Sequence, residues 1–217
     1  MKLFIQKNKH MFIAALYLPI YMAWFAYLEK AVQSDYHLIY CSLDSLVPFQ
    51  EIFIIPYLLW FILVPAMFLY LGFTNKEDFR QFVLFLFSGM TLYLIICTLF
   101  PNGQNMRPAI DTDKNILTRL IGIIWTVDTS TNVFPSIHAY NSIAVAIAAI
   151  RNERLSQKPV ILFGIIILCI SICFSTVFLK QHSVLDVLGA IIMAMIFYRV
   201  FYVTQSEREF HVAGNHA

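Results

Sequence analysis

His182 and Asp186 stand four residues apart, so one helical turn stacks them on one face. An Asp at that spacing accepts the ring N–H of the His, which fixes the tautomer and leaves the other ring nitrogen as a nucleophile. Gly189 continues the same face and predicts a close approach by another helix. Upstream, Pro135-Ser136-Ile137-His138 opens an apolar segment. Proline suits a first helical turn. Ser136 and the free N–H groups of that turn form an anion-binding end, and His138 follows as a candidate general acid. Asn141 and Ser142 extend a polar stripe below it. Arg107-Pro108 follows another apolar segment; Arg grips phosphate bidentately and stays charged. Lys180, two residues before His182, could neutralise a phosphate or mark a membrane boundary by snorkelling. Each motif alone would serve equally as a helix cap, a packed histidine or a solvated cation. Together they make a phosphoryl-transfer site, with His182, His138 and Asp186 as catalytic groups and Arg107, Ser136 and Lys180 on the phosphate.

The elements that must carry these residues are membrane helices. The 217-residue chain is 59% hydrophobic and 13% charged, where a soluble domain is about a quarter charged. Continuous apolar runs reach the roughly 20 residues needed to span a bilayer, and no barrel-type alternation occurs. The expected fold is all-α, a polytopic membrane protein with six transmembrane helices in one bundle over 1–217. The helices fall near 11–30, 51–73, 80–100, 135–150, 159–179 and 182–203, and an outer loop, 101–134, carries part of the site. The fourth and sixth segments hold ionisable residues, which inside a membrane are functional candidates. The first apolar run lacks a small-residue cleavage site after it and is expected to be a retained helix. Ile116 to Val127 reads as an interfacial or re-entrant helix that could lie over the site.

Lysine and arginine set the orientation. With a cytoplasmic N-terminus, Lys2, Lys7, Lys9, Lys76, Arg80, Arg151, Arg154, Lys158, Arg199 and Arg208 lie inside. Lys30, Arg107, Lys114, Arg119 and Lys180 lie outside. Both termini are therefore expected in the cytoplasm and the site on the outer side. A net charge of +2 gives no case for nucleic acid. The four cysteines are scattered and predict neither a disulfide nor a metal centre. Asp111-Thr112-Asp113 could hold a divalent cation, but reads better as a solvated turn and helix cap. No metal and no cofactor are expected, and the oligomeric state is not legible.

In this order, the motifs resemble those of the type-2 phosphatidic acid phosphatase superfamily. The match comprises Arg107-Pro108, Pro135-Ser136-x-His138, Ser175, and His182 followed by Asp186, within a six-helix layout covering nearly the whole chain. The resemblance implies His182 as phosphate-accepting nucleophile, Asp186 as its orienter, and His138 as acid for the leaving alcohol. Arg107 and Ser136 would hold phosphate oxygens. Phe100, Ile137 and Thr176 stand where that family has Lys, Gly and Arg; Lys180, one turn after Thr176, could replace one cation. This thinner pattern is also similar to inositol phosphorylceramide synthases and other sphingolipid head-group transferases. The resemblance implies a metal-independent membrane lipid phosphatase working at the outer face on a lipid phosphate or phosphodiester. The alternatives are a head-group phosphotransferase using the same histidines, or an inactive scaffold or transporter.

Overall fold

The computed structural model describes residues 6–203; Lys2 and Arg208, counted in the charge balance, lie outside them. Ten α-helices occur among the described residues: α1 Lys9–Ala15, α2 Tyr17–Ala31, α3 Ser42–Leu46, α4 Ile54–Thr74, α5 Lys76–Leu99, α6 Ile116–Val127, α7 Ile137–Arg151, α8 Glu153–Ser156, α9 Pro159–Phe178 and α10 Val184–Tyr198. A 3₁₀ turn, Glu51–Phe53, precedes α4, and a π turn, Arg199–Val203, follows α10. The α1/α2 break at Leu16 has a local cause. Pro19 has no N–H to donate to the Ala15 carbonyl, and its ring crowds that carbonyl.

Among the described residues, five stretches are long and apolar enough to cross a membrane: Lys9–Ala31, Glu51–Thr74, Lys76–Leu99, Pro159–Phe178 and Val184–Val203. Their outer faces carry exposed apolar side chains, such as Ile62, Phe163 and Ile196, as a lipid-facing surface requires. The chain is a multi-pass membrane protein. The segment expected as a sixth span is α7, which has only 15 residues. At 1.5 Å per residue it is about 22 Å long, well under the roughly 30 Å hydrocarbon thickness. It is also the most enclosed helix: ten of its residues, including His138, Asn141 and Ser142, are buried.

Small residues let the neighbours close on α7. Tyr140 is fully buried, stacks on Phe85 at 5.2 Å and donates to the Phe85 carbonyl at 2.7 Å. Its ring lies where a Cβ on Gly89 would sit, at 2.1 Å. At one end of the structure, Asn75 closes α4 and caps α5, accepting from Glu77 and Asp78. There Asn152 also donates to Asp78 at 2.7 Å and caps α8.

The other end carries the site. Two short strands, β1 His37–Leu38 and β2 Asn102–Gly103, pair in parallel. The Asn102 side chain accepts from Val133 and Phe134 N–H at 2.9 and 2.8 Å, fixing the entry to α7. Asp44 of α3 is buried; it accepts from Ser183 Oγ at 2.6 Å and from Val184 N–H at 2.8 Å. A residue of the segment between α2 and α4 thus caps the helix that follows His182.

Gly89→Ala is expected to lower stability by about 1–3 kcal/mol through overpacking, read as a lower Tm in detergent. Gly164→Ala, with no neighbouring atom within 4 Å, is expected to stay within about 0.5 kcal/mol of the parent. Asp44→Ala is expected to cost about 1–3 kcal/mol by leaving the α10 cap donors without an acceptor. Asp44→Asn, which keeps one carbonyl oxygen, is expected to cost less; equal losses would contradict the capping role.

Candidate active site

His182 lies in the turn between α9 and α10, just before the Ser183 cap. Its N–H and that of Gln181 both donate to the Thr176 carbonyl, at 3.0 and 2.9 Å, so the turn is fixed by the last helical residues. Asp186, fully buried in the first turn of α10, reaches back with Oδ2 to His182 Nδ1 at 3.2 Å and to the Ser183 N–H at 2.8 Å. A carboxylate only accepts, so His182 Nδ1 carries the proton and Nε2 the lone pair.

Ser136 caps α7, its hydroxyl accepting from Ala139 N–H at 3.3 Å. Its own N–H donates to the Asp186 carbonyl at 3.0 Å. That bond ties the start of α7 to the first turn of α10 and brings His138 to His182, with ring centroids 5.7 Å apart. On its other side His138 packs on Trp60 at 4.4 Å and Tyr57 at 4.8 Å. His138 Nδ1 is buried without a hydrogen-bond partner among the described residues. Gly189 allows a close approach, but the neighbour is the turn before α7 rather than a helix. A Cβ there would meet Phe134 at 2.6 Å and Pro135 at 3.2 Å.

Arg107 reaches the same end through its Nη2, which donates to the carbonyls of Asp128 and Thr129 at 2.8 and 2.9 Å and to Gln181 Oε1. Its Nη1 donates to the Trp125 carbonyl at 3.3 Å. Its Nε is buried with no hydrogen-bond partner among the described residues. Lys180 meets a different arrangement from the one the sequence predicts. Its ammonium donates to the carbonyls of Asp44 and Val47 at 2.7 and 2.5 Å. The structure brings His138, His182, Asp186 and Ser136 together and sets Arg107 beside Gln181; Lys180 instead fastens the segment between α2 and α4 to the turn.

A cavity of ≈ 30 Å³ lies against both histidines, lined also by Asp128, Thr129, Thr131, Asn132 and Gln181. Gln181 Nε2 donates to Tyr57 OH at 3.4 Å, and Tyr57 OH donates to Asp128 Oδ2 at 2.9 Å. Burial pushes the Asp128 carboxyl above the ordinary carboxylate range, opposed by the Tyr57 hydroxyl, His182 and Arg107. Glu29, at the end of α2, accepts from Thr129 Oγ1 at 2.6 Å and Asn132 Nδ2 at 2.8 Å. These partners are absent from the sequence expectation. Tyr57 and Trp60 read as ordinary residues of an apolar run, and Asp44 and Glu29 as loop and boundary charges. The polar run 128–132 just before Pro135 was the available signal.

The predicted helix at Ile116 to Val127 is α6, capped by Asn115. Ile121 is buried with Ile54, Tyr57 and Leu179, while Ile116, Ile123 and Val127 are exposed. In the Asp111-Thr112-Asp113 turn, Asp111 Oδ1 accepts from Asp113 N–H at 2.9 Å, and Asp113 lies 3.7 Å from Arg119.

No curated protein and no solved structure matches the chain. The family model described as PAP2 superfamily matches residues 82–210, more than half of the chain and the whole stretch bearing Arg107, His138, His182 and Asp186. The chain therefore belongs to the PAP2 superfamily, a family of phosphatases and phosphotransferases acting on phosphorylated lipids.

Proposed function

We propose that this protein cleaves a lipid phosphate ester at the outer membrane face through a phosphohistidine on His182. The observation that carries the reading is the buried His182–Asp186 pair facing His138. His182 Nε2 attacks phosphorus and forms the N–P bond as the bond from phosphorus to the lipid oxygen breaks. His138 donates its proton to that oxygen. A water molecule then gives a proton to His138 and its oxygen to phosphorus, the N–P bond breaks, and phosphate leaves. Asp186 holds the His182 tautomer and stabilises the positive charge on the ring. Arg107 Nε and the N–H groups at the start of α7 supply donors to the phosphate oxygens, with Ser136 holding that helix start in place. No metal enters these steps. Lys180 acts by holding the turn.

The short α7 supports a sixth crossing that begins below the lipid head groups, with its far end near Asn152. A phosphate drawn to His138 would then be partly withdrawn from bulk water. The cavity is small beside a lipid phosphate, so binding requires movement of the outer loops; α6, with apolar residues exposed, is the element suited to move at the interface. The charge balance favours cytoplasmic termini. Transfer of the phosphoryl group to a lipid alcohol would use the same residues, with the alcohol in place of water.

His182→Ala is expected to abolish release of phosphate or head group from lipid substrates while the protein stays folded in detergent; full activity would remove His182 as nucleophile. Asp186→Asn is expected to retain more activity than His182→Ala, since it alters orientation rather than the attacking atom. Turnover is expected to persist in EDTA. Strong inhibition reversed by magnesium would redirect attention to Asp111 and Asp113.

A further inference from the structure

Among the described residues, several buried polar atoms near the histidine pair lack a hydrogen-bond partner, His138 Nδ1 and Asp186 Oδ1 among them, and two others differ in type. Arg107 Nε is a buried donor without a partner among the described residues, of the type that suits a phosphate oxygen. Asn132 is 3% exposed, lines the cavity with both histidines, and has a buried Oδ1 without a partner among the described residues. Its amide orientation is fixed. Nδ2 must face Glu29 Oε1 at 2.8 Å, because a carboxylate only accepts. The free oxygen is therefore an acceptor, and an ionised phosphate oxygen cannot satisfy it. Asp128, beside it on the same wall, accepts from Tyr57 through Oδ2 and adds further acceptor capacity. A buried acceptor left unmatched is costly, so this wall calls for a ligand O–H.

Charge points the same way. Arg107 is the cation bonded to this wall, through the Asp128 and Thr129 carbonyls, while the Lys180 ammonium is turned to the Asp44 and Val47 carbonyls. Asp128 lies on the same wall, and Glu29 is bonded to it through Thr129 and Asn132. A phosphomonoester carries about −1.5 to −2 at neutral pH, whereas a phosphodiester carries a single negative charge. An acidic, acceptor-rich wall is adverse to the first and compatible with the second.

We propose that Asn132 and Asp128 form a hydroxyl-binding subsite beside the histidine pair, selecting a lipid phosphodiester whose head-group alcohol carries free hydroxyls. The proposal rests on the phosphoryl-transfer reading above. The His182 Nε2–phosphorus bond forms as the bond from phosphorus to the lipid-backbone oxygen breaks. That oxygen takes the His138 proton and leaves as diacylglycerol. The hydroxylated head group stays on phosphorus against Asn132 and Asp128 until water, its proton passing to His138, releases it as the phosphate ester.

The test compares three lipids with identical acyl chains: phosphatidylglycerol, phosphatidylpropanol and phosphatidate. All release diacylglycerol under this chemistry. The first two carry the same charge and differ only by the head-group hydroxyls. Wild-type protein is expected to favour phosphatidylglycerol over phosphatidylpropanol by about tenfold or more in kcat/KM, the size expected when a site built for a hydroxyl meets its absence. Asn132→Gly removes the amide and suits the backbone, since Asn132 has φ 56°; it is expected to bring that ratio close to one. The ratio is taken within each protein, so a smaller folded fraction cancels. A wild-type ratio near one, or a ratio unaffected by Asn132→Gly, would overturn the subsite. Phosphatidate cleaved faster than both diesters would overturn the diester preference and leave the phosphatase reading standing. Absence of His182-dependent diacylglycerol from all three lipids would overturn that reading and the subsite with it.

Discussion

The arrangement of the site depends on one carboxylate at the start of α10. Asp186 Oδ2 accepts from both His182 Nδ1 and the Ser183 N–H, and the carbonyl of the same residue accepts from Ser136 N–H. The side chain sets the nucleophile's tautomer and closes the helix cap. The backbone draws the α7 N-terminus alongside, which brings His138 opposite. Asp44 completes the cap from the far side through Ser183 and Val184. Two residues distant in sequence thus hold a turn that would otherwise have several free donors in a membrane protein's interior, where unmatched polar groups are expensive.

Packing brings this cap into register. α7 is short and enclosed, and glycines remove the side chains that would hold its neighbours away. Tyr140 fills the space over Gly89, and Phe134 and Pro135 fill that over Gly189. The loops at the site end are ordered by their own polar ties: Asn102 to the α7 entry, Lys180 to the segment between α2 and α4, and Arg107 to the carbonyls after α6. The Arg107 bonds give a cation a structural duty beside the one proposed for it.

Much of this was legible in the sequence. The His182–Asp186 pairing was legible in the four-residue spacing, but not its form: His182 lies in the turn before the Ser183 cap, and Asp186 reaches back to it from the first turn of α10. The Ser136 cap was legible in the residue types around Pro135. The long apolar runs at Glu51–Thr74, Lys76–Leu99 and Pro159–Phe178 appear near their expected bounds. Family membership agrees with the resemblance carried by the motifs. What was not legible depends on distance in sequence. Lys180 has the charge and position of a phosphate ligand, and only the fold reveals Asp44 and Val47 carbonyls within its reach. Glu29, Asp44 and Tyr57 meet partners 71 to 140 residues away, and no local pattern announces such contacts. The length of α7 was visible, but its near-complete enclosure is a tertiary property.

The most direct test of the central claim is to trap the covalent intermediate. Purified protein would be mixed with a lipid labelled at phosphorus, quenched in alkali, where phosphohistidine survives, and digested to locate the label. The account predicts acid-labile label on His182, absent from His182→Ala. Product release with the label on another residue, or with no labelled protein under rapid quenching, would contradict it.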